Sequence, residues 1–499
     1  MKFELSNSQV TEVTCDTLIL FRQDAANAVP EQTGAAHSIF QLLNEFTQAN
    51  PDCTKYGEIN IVSIVPAANV KRIVLLGLGG KSNLTPDKLR AAAAIAIRAA
   101  RKLNPGSVAA VVPGEEQTGF SKQSIIQCIV EGTLLGNYQF LYYKTEQKTV
   151  SKTDKFILLH DRSDDAAALE KTLEQAVIIA ESVNFARDLV NHPACYVTPS
   201  RLAHYAGEIA RAEGLELDVL DIPEMTDLKM SALLAVTRGS TQPPKLITLK
   251  YTGDKENPEL FAYIGKGITF DSGGISLKPS ANMGEMKGDM AGGAAVLAAI
   301  QGIARLKPKA NILAVIPCAE NMPAGCALKP GDVISSMGGY TIEIITTDAE
   351  GRLLLADAVT YAKKLGATRL IDIATLTGAC AVALGDVASG VITNDQPWCG
   401  QLLAAAEHCG EKMWQLPAYD EYKEQNKSDI ADIKNSGGRL AGTITAGLFI
   451  EKFAAGTPWA HIDIAATSDT ASTKGYRPKG ATGVPVRTLI QLALKQNAR

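Results

Sequence analysis

Apolar and polar positions alternate in blocks along the chain. Thr17-Leu18-Ile19-Leu20-Phe21 and Arg72-Ile73-Val74-Leu75-Leu76 are short apolar runs that read as buried strands. The alanine-rich stretch from Pro86 to Leu103 reads as a helix, because alanine loses least on entering one. The polar run Asp161-Arg162-Ser163-Asp164-Asp165 marks a boundary. A helical stretch from Ala166 to Val190 follows, long enough to bridge two domains. It ends before Asn191-His192-Pro193, where proline disfavours helix in the residue preceding it. From Ala194 onward the alternation becomes regular. Candidate strands are Leu217–Leu220, Leu246–Tyr251, Leu260–Ile264, Ile312–Ile316, Thr341–Ile345, Arg369–Ile373 and His461–Ile464. Helices lie between most of them, including Ala291–Leu306, Leu353–Leu365 and Ala441–Phe453.

The pattern predicts an α/β protein of two domains, each a mainly parallel or mixed sheet flanked by helices. The expected division is an N-terminal domain over 1–165, a linker helix over 166–192 and a C-terminal domain over 193–499. Sites in open α/β sheets form at the carboxyl ends of strands. Lys266, Asp348 and Thr375-Leu376-Thr377-Gly378 each follow a candidate strand, so segments far apart in sequence can meet at one edge.

Composition narrows the class. A chain of 499 residues is too long for one ordinary core, which agrees with two domains. Hydrophobic content of 46% and charged content of 20% are those of a soluble globular protein. The net charge of −4 gives no global pull toward nucleic acid or anionic lipid. Neither a secretory signal nor a run of the roughly 20 apolar residues that span a bilayer is expected. The nine scattered cysteines read as free thiols in a reducing compartment, the cytoplasm, with Cys318, Cys326 and Cys380 as buried small hydrophobes. Gly77-Leu78-Gly79-Gly80 lacks the later glycine and the acidic residue of a dinucleotide fingerprint, and reads as a tight strand-to-helix turn.

The stretch Ile345-Thr346-Thr347-Asp348-Ala349-Glu350-Gly351-Arg352-Leu353 carries the chemistry. In an extended segment, Asp348, Glu350 and Arg352 share a face. Two acids held so close repel, and Arg352 alone cannot neutralise both, so a metal ion is the usual solution. A solvated turn with an incidental ion pair fits the spacing equally well. Upstream, Gly265-Lys266-Gly267-Ile268-Thr269-Phe270-Asp271-Ser272-Gly273-Gly274 and Met286-Lys287-Gly288-Asp289-Met290 add two more acids and a lysine. Together these segments closely resemble the cytosolic leucyl aminopeptidase family, peptidases with two metal ions. The resemblance runs from about Asn184 onward, and more loosely through the N-terminal part. Thr346 departs from it, since most members carry asparagine there. That departure touches only the hydrogen bonding of the loop.

The resemblance implies one metal held by Lys266, Asp271, Asp289 and Glu350, and a second held by Asp271, Asp348 and Glu350. Four carboxylates and two dications balance formally, and oxygen ligands suit manganese, zinc, magnesium or cobalt. Lys266 would ligate through a neutral amine, and deprotonating it at pH 7 costs about 4–5 kcal/mol from a pKa of about 10.4. The resemblance further implies a water activated between the ions, Lys278 stabilising the oxyanion, and Arg352 holding a bicarbonate that acts as general base. It implies that Met286 lines the pocket for the first side chain and that Thr375, Leu376 and Gly378 contact the peptide. It also implies peptide substrates, a homohexamer and a C-terminal catalytic domain. His461, alternating inside a strand, reads as a core or supporting histidine. Two other readings stand beside this one. A two-metal phosphoesterase is disfavoured by Lys266 and by the lack of ligand histidines. A second, DNA-binding activity is weakened by the acidic pI of about 6.0.

Overall fold

The structure is a computed structural model that describes residues 1–23, 43–63, 69–146, 153–162 and 164–496. By internal contacts the chain divides into two compact units, Met1–Glu181 with Ser472–Pro478, and Ser182–Ala471 with Lys479–Arg499. The division falls inside the helix Ala166–Asn191, and a short segment near the C-terminus joins the first unit. Within the expected polar boundary, Ser163 lies outside the described residues.

The first unit is built, among its described residues, on a six-stranded sheet. Its order is Lys2–Ser6, Lys155–Leu159, Ser107–Val111, Cys15–Gln23, Val70–Gly79 and Ile59–Ser63. All neighbours run parallel except the last pair. The apolar runs seen at 17–21 and 72–76 are its inner strands, and the alanine-rich run is the helix Pro86–Arg101. Alternate residues of the central strands face different cores: Ile19 and Val74 one, Leu18 and Ile73 the other. The glycine run differs from expectation. Gly77 and Gly79 lie within the strand Val70–Gly79, because backbone at Thr54 and Lys55 packs so closely on Gly77 that no Cβ would fit.

The second unit carries a nine-stranded mixed sheet among its described residues. Four central strands, Trp459–Asp463, Arg369–Ala374, Phe261–Gly265 and Asn311–Asn321, are mutually parallel. Ser389–Thr393 and Lys245–Thr252 flank them in antiparallel sense. Strand alternation distributes the side chains. Ala262 and Ile264 pack into the core shared with the helix Gly351–Lys364, while the Tyr263 hydroxyl donates to Leu489 O in the helix Val486–Lys495. The helix Gln396–Cys409, absent from the expectation, also packs on Val486–Lys495.

Two expectations are corrected. The run Thr341–Ile345 does not enter the main sheet. Only Thr341–Glu343 is a strand, and it pairs with Val333–Ser335 and Ile433–Lys434 in a separate small sheet. With Ile342 as its one buried residue, it is too short to cross the main core. Cys326 is exposed, unlike Cys318 and Cys380, because its loop runs over the surface.

The helix Gly351–Lys364 is fixed by Asp357. Its carboxylate is fully buried and accepts from Leu233 N at 2.9 Å and Met337 N at 2.8 Å. Burial pushes this acid up to about 7. Asp357→Ala should destabilise the chain by about 2–4 kcal/mol, since it orphans the buried Leu233 N–H and the part-buried Met337 N–H. The folded state keeps a proton that the unfolded chain has lost above its ordinary pKa of 3.8. The wild-type advantage over Asp357→Ala should therefore shrink as pH rises from about 4 toward 7. Urea unfolding across that range measures both effects.

Candidate active site

The four acids of the cluster reach the site from three different local structures. The strand Phe261–Gly265 ends at Lys266, and the chain continues at once as the strand Gly267–Asp271. Lys266 is held there by its own backbone, with its N–H donating to Ile373 O at 3.0 Å and its carbonyl accepting from Gly293 N at 2.7 Å. Asp271 closes the second strand. Its Oδ1 accepts from Gly273 N and from Asn321 Nδ2, both at 2.9 Å. Asp289 follows the 3-10 turn Met283–Gly288 and precedes the helix Ala291–Leu306.

Asp348 and Glu350 arrive differently from the sequence expectation. The segment is not extended. Residues 346–350 form a turn, and Glu350 has helical dihedrals at the N-terminus of Gly351–Lys364. The turn is tied on both sides: Asn321 Nδ2 donates to Thr347 O at 3.0 Å, and Thr347 Oγ1 donates to Gly273 O at 2.6 Å. Thr346 answers the question its departure raised. Its hydroxyl accepts from Asp348 N at 3.2 Å, so the loop keeps a side-chain acceptor at this position.

The acids converge despite the change of conformation. Asp271, Asp348 and Glu350 each offer a carboxylate oxygen within 4.8 Å of the others. Lys266 Nζ lies 2.8 Å from both Asp289 and Glu350 Oε1 and donates to Thr375 O at 3.0 Å. Lys278 Nζ lies 2.8 Å from Asp271 Oδ2 and contacts Asp348. Four carboxylates thus face two ammonium groups, a formal excess of two negative charges. Arg352 does not join the acids as an ion pair. Its Nη1 donates instead to Asn435 O at 2.7 Å.

Burial dominates the electrostatics. It pushes Asp271 up to about 6, with Glu350 adding to the effect, and raises Asp289 and Asp348 as well. Burial also acts on Glu350, but Lys266 outweighs it and holds that carboxyl below its usual range. Lys266 is itself deeply buried, yet Asp289, Glu350 and Asp271 keep it charged. Burial lowers Arg352 to about 10. A divalent cation fits this donor set. Glu350 Oε2 is buried with no hydrogen-bond partner, and oxygen atoms dominate the cluster.

The cluster opens on a cleft of about 1040 Å³. Met286, Thr375, Leu376 and Gly378 all line it, as do Lys278 and Arg352. Thr375 Oγ1 donates to Asp289 Oδ1 at 2.7 Å. The next residues are oriented by Asp463, a buried acid that sequence reasoning missed. It accepts from Leu376 N at 3.2 Å and from the Thr377 hydroxyl at 2.7 Å. His461 stays out of the cluster, with Nδ1 against Asp372 Oδ1 at 2.5 Å inside the sheet.

Residues 184–490 match the catalytic domain of the cytosol aminopeptidase family, and residues 31–147 match the N-terminal domain of the same family. The chain belongs to the cytosol aminopeptidase family. Members are peptide hydrolases that remove N-terminal amino acids. A relative from Alkaliphilus metalliredigens strain QYMF, named "Probable cytosol aminopeptidase", is 44% identical over 499 residues, covering 99% of each chain. One of the same name from Alkaliphilus oremlandii strain OhILAs is 44% identical over 494 residues, again covering 99% of each. Among solved structures, the bottromycin maturation enzyme BotP in complex with Mn matches with a TM-score of 0.85 and 32% identity. That match covers 97% of this chain and 99% of the other.

The cytosol aminopeptidase motif around Glu350 contains a glycine with a steric reason. A Cβ on Gly351 would lie 2.6 Å from Lys266 Cε and 2.8 Å from its Nζ. The lysine stem therefore occupies the space that any side chain at 351 would need. Gly351→Ala should displace Lys266 and lower peptide turnover about 100-fold, as sub-ångström misplacement of an active-site group does. Circular dichroism should stay native. Leucine p-nitroanilide kinetics on the folded variant test this.

Proposed function

We propose that this chain is a two-metal leucyl aminopeptidase of the cytoplasm. The observation that carries the reading is the convergence of Asp271, Asp348 and Glu350, with Glu350 Oε2 buried and unpartnered, inside a cytosol aminopeptidase catalytic domain. Lys266, Asp271, Asp289, Asp348 and Glu350 would hold the two ions. Manganese or zinc suits the mixed oxygen and nitrogen donors, with magnesium or cobalt as substitutes. A manganese-bound relative supports the first choice. When bound, such ions polarise the scissile carbonyl and make water a nucleophile near neutral pH.

The chain's own residues supply binding and proton handling. Thr375, Leu376 and Gly378 run along the cleft and orient the peptide backbone. Met286 and Leu376 give the first side chain an apolar wall, and burying a leucine there is worth about 1.5–3 kcal/mol over leaving it in water. Lys278, half-shielded beside Asp271, would give its N–H to the oxyanion that develops on the carbonyl. Arg352 would hold a bicarbonate ion that serves as general base. Its buried Nε has no hydrogen-bond partner and its side chain lines the cleft, which leaves a donor for such an anion. We assign the cytoplasm because relatives 44% identical to the chain are named cytosol aminopeptidases, and the nine free cysteines agree with a reducing compartment. Assembly is proposed to be a homohexamer, to be checked by sedimentation.

Glu350→Ala should lower turnover about a thousandfold or more and reduce bound metal. Arg352→Ala should lower turnover about 100-fold while leaving metal content near that of the wild type. Metal analysis paired with leucine p-nitroanilide hydrolysis separates the two. Absence of turnover in the folded wild type with every divalent ion tried would remove the proposal, and loss of metal from Arg352→Ala would remove the division of roles.

A further inference from the structure

Asn435 has no role in the reaction as described, yet its side-chain amide and its carbonyl are both spent on the run that carries Asp348 and Glu350. It is fully buried. Its N–H donates to Glu343 O at 2.9 Å, which extends the small-sheet ladder by one residue beyond Ile433–Lys434. Its side-chain Oδ1 accepts from Ile345 N at 2.8 Å, and its Nδ2 donates to Thr346 O at 2.7 Å. Its carbonyl accepts from Arg352 Nη1 at 2.7 Å. Thr346 then passes the restraint on, since its hydroxyl accepts from Asp348 N. One residue therefore grips both ends of the run that holds Asp348 and Glu350: residues 345–346 before it and Arg352 after it.

An asparagine suits this place physically. The amide offers an acceptor and a donor side by side, which matches the N–H of Ile345 and the carbonyl of Thr346. Aspartate would set an acceptor against the Thr346 carbonyl. Leucine would leave both backbone groups without partners in a buried position. Arg352, charged and buried, needs a fixed acceptor to stay in one orientation, and the Asn435 carbonyl supplies it.

We infer that Asn435 is a positioning residue for the peptidase reaction, holding Arg352 and the Asp348 turn in a single mutual geometry without touching substrate. The inference rests on the roles proposed above for Arg352 and Asp348. Asn435→Ala should lower kcat about 10- to 100-fold through misplacement of these groups, with KM changed less than about threefold. The decisive measurement is a double-mutant cycle with Asp348→Ala, because the Asn435 side chain holds the turn before that residue, whereas Arg352 is met by the Asn435 carbonyl, which the substitution keeps. In that background Asn435→Ala should cost less than about threefold, because the group it positions is gone. Melting curves of each variant confirm that folded enzyme is compared. If Asn435→Ala does not fold, Asn435→Asp keeps the acceptor for Ile345 and is read in the same way. Full additivity with Asp348→Ala, or an unchanged kcat in the single variant, overturns the inference while leaving the Asp348 role intact. Wild-type turnover in Asp348→Ala alone overturns both.

Discussion

Four carboxylates, three of them buried, sit closer together than like charges tolerate. Asp271, Asp289 and Glu350 are buried and Asp348 lies more exposed beside them, on backbone placed by different parts of the fold, so their like charges repel. Cations must therefore come to them. Lys266 and Lys278 bring two, each bridging a pair of acids, and a formal negative excess remains. That excess, in a place where burial raises three of the four acids, is what the proposed divalent ions would neutralise.

Holding the acids together is the work of distant segments. Lys266 and Asp271 come from one pair of consecutive strands, Asp289 from the turn before a helix, and Asp348 and Glu350 from a loop that leaves a different sheet. Side-chain amides connect these pieces. Asn321 joins Asp271 to Thr347, and Asn435 joins Ile345 and Thr346 to the backbone that receives Arg352. Behind them Asp357 fixes the helix that begins at the motif. The charged groups at the cleft are thus backed by neutral or singly charged groups whose hydrogen bonds are all made within the fold. This is the arrangement expected where repulsion in the front row must be resisted by rigidity behind it.

The strands and helices around the site were legible because their signal is local. Apolar runs at 72–76, 312–316 and 369–373 are buried strands, and the small-residue run at 291–306 is a helix. The conformation of the motif itself was not. Alternating charges at 348, 350 and 352 suit a strand, but Gly351 and the helix-forming Leu353–Leu355 after it start a helix at that point, and hydrogen bonds to Asn321 and Gly273 turn the chain before it. Asn321, Asn435 and Asp463 carried no sequence signal of their own. An isolated asparagine or aspartate near the end of a strand has many ordinary uses, and only its partners distinguish it.

The sequence by itself determined which groups could do chemistry here: the acids, the two lysines and the arginine, and the order in which strands and helices deliver them. It could do so because side-chain identity and local propensity are properties of short stretches of chain. Tertiary structure alone decided the geometry in which those groups meet, that Arg352 leaves the acids for Asn435, and which side chains brace the turn. The reason is distance along the chain: the bonds that make those decisions join residues 26 to 90 positions apart, beyond anything a local pattern encodes.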